Sequence, residues 1–376
     1  MSINDVNSNF EFMTKSRPHV VILGAGASCA AIPRGDKNGK KISAMNGFID
    51  QLGLRPILDR VELFTQSSNL EDIYMELDQR SRVEPECNKV KLELDRAIRR
   101  FMSEFELPDE PNIYDFLVLS LTSKDLIATF NWDPFLVQAM QRASRFVNRK
   151  SLPQVAFLHG NVAIGFCEQD KIVGCLNGTC SNNHELKPVT LLYPVKNKDY
   201  TSDPAIVAFW REFNNALERA YMITIFGYSA PVSDVAAINA MQRAWGSAEK
   251  HKYEQIEIIN IGERDEAIRS WEKFIFESHV DYWTSFFDSS LAKFPRRTCD
   301  VLYDTTMKCR FMDDNLGFRE GMTRGEIVQL IRPLVYDECL KCILRTSCHV
   351  YTVKLPHRNG VLATVARQLP HYLYNI

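Results

Sequence analysis

The chain has 376 residues, of which 45% are hydrophobic and 24% charged, with a formal net charge of −2. That length accommodates one large α/β domain with an appended module, or two domains. The near-neutral charge excludes an electrostatic footprint for nucleic acid over the molecule as a whole, and no run approaches the roughly 20 uninterrupted apolar residues of a membrane-spanning helix.

Residues 1–17 (MSINDVNSNFEFMTKSR) lack an apolar core and a cleavage-like site, so a polar arm is expected there and not a secretory leader. The accompanying expectation is a cytoplasmic chain whose ten cysteines are reduced. Residues 19–23 (HVVIL) form a short apolar run closed by Gly24, the pattern of a buried parallel strand. The sequence Gly24-Ala25-Gly26-Ala27-Ser28 then makes a tight turn, with Ser28 a candidate helix cap. From about 42 to 121 the apolar spacing is helical: Leu70, Ile73, Tyr74 and Leu77, then Val90, Leu94, Ile98 and Phe101. This predicts a helical insertion between two pieces of a core. Strand-like runs return at 126–130, 155–158, 221–226 and 256–261. Helical patterns follow from about Pro134, near Ser233 or Asp234, and from about Asp265. Such alternation predicts an α/β fold, a Rossmann-like doubly wound parallel sheet that binds ligands at the carboxyl ends of its strands. The expected core covers 18–294, with a cysteine-containing insertion at about 161–188 and an appended module at 295–376.

The polar residues of interest sit at those strand ends. Gly24 and Gly26 at a strand-to-helix turn allow a pyrophosphate to approach backbone N–H groups. Cys29 stands where a dehydrogenase fingerprint has its third glycine, and no acidic residue ends a second strand about 20 residues on, which argues against hydride transfer. Asn131 and Asp133 follow the second run, either as site residues or as an Asx cap for the helix at Pro134. His159-Gly160 ends the third run, where a histidine suits proton transfer near neutral pH or serves only structure. Gly227, Ser229 and Asn260 offer small and polar groups for a ribose or an adenine.

Taken together, these motifs resemble the sirtuin family, and more closely the divergent bacterial sirtuin-like NAD hydrolases of antiviral defence. The matching residues are Gly24-Ala25-Gly26-Ala27-Ser28, Ile32-Pro33, Thr129-Phe130-Asn131-Trp132-Asp133, His159-Gly160, Gly227-Tyr228-Ser229 and Ile259-Asn260, in that order over residues 18–280. The resemblance implies NAD as substrate. It places Ala25, Gly26 and Ser28 on the diphosphate, Ile32 and Asp133 at the nicotinamide, and Ser229 and Asn260 on the adenosine half. Asn131 would hold the ribose hydroxyls and His159 would act as base. It implies an NAD glycohydrolase, silent until triggered through homo-oligomerisation or a regulatory partner such as a helicase-like ATPase. A deacylase or ADP-ribosyltransferase, and a module that senses NAD or ADP-ribose without turnover, are the alternatives.

A sirtuin deacylase carries a zinc module of paired C-x-x-C knuckles after its H-G motif. Here the matching place holds Cys167, Cys175, Cys180 and His184 at other spacings, and the one C-x-x-C, Cys339 with Cys342, lies far downstream. Reduced thiols are the favoured expectation and zinc the alternative. The stretch that would pair with an acyl-lysine peptide is not recognisable at 190–195 (TLLYPV), which favours water as the acceptor.

Overall fold

The computed structural model describes residues 3–42, 47–195, 198–230, 234–312 and 317–346. Its strands are β1 (His19–Leu23), β2 (Leu126–Thr129), β3 (Gln154–Phe157), β4 (Ile164–Cys167), β5 (Ile172–Cys175), β6 (Lys187–Pro188), β7 (Met222–Phe226), β8 (Gln255–Ile259) and β9 (Val280–Trp283). Six of them pair in parallel in the order β3-β2-β1-β7-β8-β9. In chain order this is the doubly wound arrangement, with its topological switch between β1 and β7. The expected fold class is therefore observed. Val20, Val21, Ile22 and Leu23 are at most 1% exposed, as a central strand covered on both faces requires.

Helices α1 (Ile3–Lys15) and α2 (Ala25–Ala31) flank β1 in sequence. The predicted helical insertion holds α3 (Phe48–Gln51), α4 (Arg55–Leu58), α5 (Leu70–Arg80), α6 (Pro85–Ser103) and α7 (Ile113–Ser120). The apolar faces read from the sequence are the buried ones: Leu70, Ile73, Tyr74 and Leu77 of α5 meet the core, as do Val90, Leu94 and Ile98 of α6. The sheet helices α8 (Phe135–Ala143), α9 (Pro204–Glu218), α10 (Val235–Trp245) and α11 (Arg264–Trp271) follow. Asp203 caps α9 through Ala205 N and Ile206 N, with Pro204 at its first position. Strands β5-β4-β6 form a separate antiparallel sheet within the cysteine-containing insertion.

Several elements differ from expectation. The N-terminal arm is the helix α1, and β9 adds an unforeseen edge strand. After α12 (Ser290–Lys293), α13 (Thr298–Lys308) packs against α1, with Lys15–Asp304 and Lys308–Glu11 ion pairs at 2.8 and 2.6 Å. A buried polar chain ties α13 to the sheet: Thr298 Oγ1 to His19 Nδ1, His19 Nε2 to Thr224 Oγ1, and Thr224 to Glu257. The last helix among the described residues, α14 (Arg324–Thr346), is held by the buried Arg296, which donates to Glu338 and to the carbonyls of Leu121 and Ser151.

At the switch point two turns interlock. Gly26 N donates to Gly227 O at 2.9 Å, and Gly227 has φ +61°. A Cβ on Gly227 would stand 2.3 Å from Ala27 N, and one on Gly24 would stand 2.6 Å from Gly227 O. Both contacts are backbone, so neither can yield by a side-chain rotation. Gly39 offers a control, since it has φ +78° with nothing within 4 Å of an added Cβ. Gly39→Ala should cost only the left-handed conformation, about 1 kcal/mol. Gly227→Ala should lower the urea midpoint much further, and equal losses would contradict the interlock.

Candidate active site

The two turns bring the ends of β1 and β7 together, and the ladder continues into them through Gly24 N to Phe226 O and Gly227 N to Ile259 O. On the β2 side, Phe130 N donates to Leu23 O, which draws the 130–133 loop beside the glycine turn. Asn131 then reaches across: its Nδ2 donates to Gly24 O at 2.8 Å and to Ser28 Oγ at 2.9 Å. Ser28 does not cap α2, as the sequence had suggested. It lies inside the helix, Gly24 occupies the N-cap, and the Ser28 hydroxyl donates to Asp133 Oδ2 at 2.6 Å. Asp133 serves both readings of its motif, since its Oδ1 accepts from Phe135 N at the start of α8.

Two residues absent from the sequence-based set complete this cluster. Tyr114 comes from α7, whose start is fixed by a reciprocal cap between Asn112 and Asp115. Its hydroxyl lies 2.9 Å from Ser28 Oγ and 3.3 Å from Asn131 Nδ2. Asn161 donates to the carbonyls of Asp133 and Asn131 and pins the loop from below. Burial pushes the Asp133 carboxyl up to about 6, against the hydrogen bond from Ser28 that lowers it.

His159 lies two residues beyond the end of β3 and occupies an adjoining compartment. Its ring meets Phe130 edge to face at 4.7 Å, and Phe130 stacks on Tyr228 at 4.4 Å. Nε2 lies 3.1 Å from Tyr200 Oη and 3.8 Å from Asp234 Oδ1. Lys198 Nζ is 2.7 Å from the same Asp234 oxygen, and Tyr228 donates to the other at 2.9 Å. Burial drives the His159 imidazole down to about 4, so the ring is neutral at physiological pH and able to accept a proton. Gly160 has φ +76°, and a Cβ there would lie 2.0 Å from Thr190 O, so the 190–192 segment crosses directly over this turn.

The remaining sequence-predicted residues divide. Ala25 and Gly26 are exposed at the turn, while Ile32 is buried at the end of α2. Gly227 joins the site through its contact with Gly26, and Ser229 is exposed beyond it. Asn260 ends β8 with its Oδ1 turned to Ile261 N, and makes no hydrogen bond to the cluster. Ser233 lies outside the described residues, as do the side chains of Cys339 and Cys342.

The cysteine-containing insertion assembles a different donor set from the one expected. Cys167, Asp170, Cys180 and His184 place their ligand atoms within 4.8 Å of one another. Cys175 is turned away on β5, where its Sγ accepts from Gln141. His184 Nδ1 stands 3.1 Å from Asp170 Oδ2 and 3.9 Å from Cys167 Sγ. A tetrahedral zinc sets its donors roughly 3.2–3.8 Å apart, so these two thiols, imidazole and carboxylate, spread over up to 4.8 Å, would close by about an ångström to bind one. The group therefore fits zinc, and lies in the small sheet apart from the polar cluster.

Two outcomes are expected. Protein prepared with zinc available should hold about one ion per chain by elemental analysis, and Cys167→Ala with Cys180→Ala should abolish it; zinc retained in that double variant would reject the assignment. The second concerns Asp133. Between about pH 4 and pH 6 the folded chain keeps a proton that the unfolded chain releases, so this carboxyl costs stability as pH rises through that window. Asp133→Asn can keep both Phe135 N and Ser28 Oγ partnered. It should match the parent near pH 4 and exceed it at pH 7.5 by up to 3 kcal/mol, roughly. Lower stability at pH 7.5 in urea would refute this reading of the carboxyl.

No family model and no curated protein matches this sequence. Among solved structures it is similar to Sir2 proteins. A Sir2 bound to an acetylated peptide is 16% identical, with 82% of this chain and 99% of that one covered at a TM-score of 0.32. A Sir2 homologue mutant in complex with ADP ribose is 13% identical, with 87% and 97% covered at 0.36. A Sir2–peptide–NAD+ complex is 15% identical, with 82% and 99% covered at 0.32. Likeness at this level adds nothing to the strand order, which by itself gives the doubly wound class.

Proposed function

We propose that the chain is an NAD glycohydrolase that transfers the ADP-ribosyl group of NAD to water. The observation that carries this reading is the neutral His159 at a strand end, one aromatic ring away from the Asn131–Ser28–Asp133 cluster beside the switch point. Strand ends at a switch point are where doubly wound sheets take nucleotides. The diphosphate would lie against the exposed Ala25–Gly26 turn, with the nicotinamide towards Asp133 and Ile32. A protonated Asp133 would donate to the carboxamide oxygen, and an ionised one would accept from its NH2.

The reaction requires little from the protein beyond orientation and electrostatics. The C1′–N bond breaks with its electron pair going to nicotinamide, which leaves neutral from a cationic ring. Water adds its oxygen to C1′ and loses a proton, so NAD+ and water give nicotinamide, ADP-ribose and H+. His159 would accept a proton from a ribose hydroxyl, and Asn131 would orient the ribose hydroxyls and the attacking water. No redox partner is involved. The absence of a recognisable peptide-pairing stretch at 190–195 supports water over an acyl-lysine acceptor, and Cys29 in place of a third glycine argues against hydride transfer.

We further read the activity as a triggered effector of antiviral defence that works by depleting NAD, in a cytoplasmic homo-oligomer controlled by a regulatory protein. No helix among the described residues is long and apolar enough to cross a membrane. Incubation with NAD, alone and with the product of a neighbouring gene, should release nicotinamide and ADP-ribose in equal amounts. Asn131→Ala and His159→Ala should each lower the rate by about 100-fold or more. NAD bound without release of nicotinamide under either condition would leave a sensing module instead, and label recovered on protein would indicate a transferase.

A further inference from the structure

The buried ion pair beside His159 is not used by the proposed reaction, yet it faces the ring. Lys198 and Asp234 have side chains 2% and 7% exposed, and they come from the segments leading into α9 and α10. Burying two charges is costly unless the pair is close and its remaining lone pairs are satisfied. Here the Nζ–Oδ1 distance is 2.7 Å and Tyr228 donates to Oδ2. The oxygen that Lys198 holds is also the one 3.8 Å from His159 Nε2, beyond hydrogen-bond reach but close for an ionic interaction. Tyr200, on the same segment as Lys198, supplies the 3.1 Å contact that His159 does make. The other walls of the compartment are the rings of Phe130, Tyr228 and Trp210, so Asp234 and Lys198 are the charges that act on the imidazole.

We propose that Lys198 and Asp234 are positioning residues for His159: the ammonium engages the carboxylate and so prevents it from turning the imidazole into an imidazolium. Burial disfavours the charged ring most, Asp234 favours it and Lys198 opposes it, so the ammonium works with burial against the carboxylate. Removing the ammonium alone would leave a buried carboxylate whose nearest available cation is His159. The ring would then take a proton, close on Asp234 and lose its capacity as a base. The role in catalysis rests on the hydrolase reading, whereas the effect on the ring does not.

The test is a titration of the His159 imidazole by nuclear magnetic resonance in the full chain without NAD, with the signal assigned through His159→Gln. Lys198→Met should raise the apparent pKa by about two units, Lys198→Arg should leave it near that of the parent, and Asp234→Asn combined with Lys198→Met should reverse the rise. Unchanged titration in Lys198→Met overturns the proposal. If Lys198→Met does not fold, Lys198→Gln replaces it with the same expected direction. Failure of both to fold assigns the pair to the core and also overturns the proposal. If NAD turnover is measured, the acid limb of its pH profile should move up with the ring in Lys198→Met. A shifted ring in a protein that never cleaves NAD would reject the reaction and keep the pair.

Discussion

The site depends on two backbone turns that pass closer together than side chains permit. Gly24 and Gly26 on one side and Gly227 on the other are in backbone contact, and a Cβ at any of the three would meet backbone atoms within 3 Å. Their bond, Gly26 N to Gly227 O, joins the ends of β1 and β7 where the winding of the sheet reverses. Elsewhere along a parallel sheet, neighbouring crossovers leave the strand ends to the same face. At the reversal the two crossovers leave in opposite directions, and a crevice results. The glycines therefore have a structural role that precedes any phosphate: without them the strand ends could not close to the spacing that the polar residues use.

Those polar residues form a network that is largely complete within the chain. Asn131, Ser28, Asp133, Tyr114 and Asn161 partner one another and the backbone. Buried polar groups with partners cost little, while a half-satisfied set would cost more than an apolar core. The carboxyl is the exception, because burial without a cation opposes its charge. The network holds that carboxyl through Ser28 and Phe135 N at a place where burial opposes its charge.

The sequence displayed the fold where burial imposes a period. Strands β1, β2, β7 and β8 are covered on both faces and appear as apolar runs, β3 is buried only over Ala156 and Phe157, and the buried faces of α5 and α6 follow the helical repeat. The edge strand β9 is half exposed and carries Asp281, so its run is broken. Strands β4 and β5 hold glycines and cysteines, which read as loop. The same limit applied at the site. Asn131, Asp133 and His159 were visible because strand ends and short motifs are local. Tyr114, Asn161, Lys198, Tyr200 and Asp234 were not, because each reaches the site by tertiary packing. Asp170 replaced Cys175 for a related reason: alternation along β5 points Cys175 away from the hairpin end where Cys167, Cys180 and His184 meet.

An internally satisfied network also restrains the activity proposed for it. Asn131 Nδ2 already donates to Gly24 O and Ser28 Oγ, so a ribose hydroxyl or water meets Asn131 by donating to its Oδ1, or else displaces one of these bonds for another of similar strength. A donor on the ligand that meets the buried Asp133 carboxyl would add to affinity by relieving its charge. His159 is sealed in the same way, under Tyr200 and the Lys198–Asp234 pair. Opening the His159 compartment breaks bonds before the ligand makes any. A hydrolase built on such a site would be slow while that compartment stays shut, and whatever favoured its open arrangement would raise the rate.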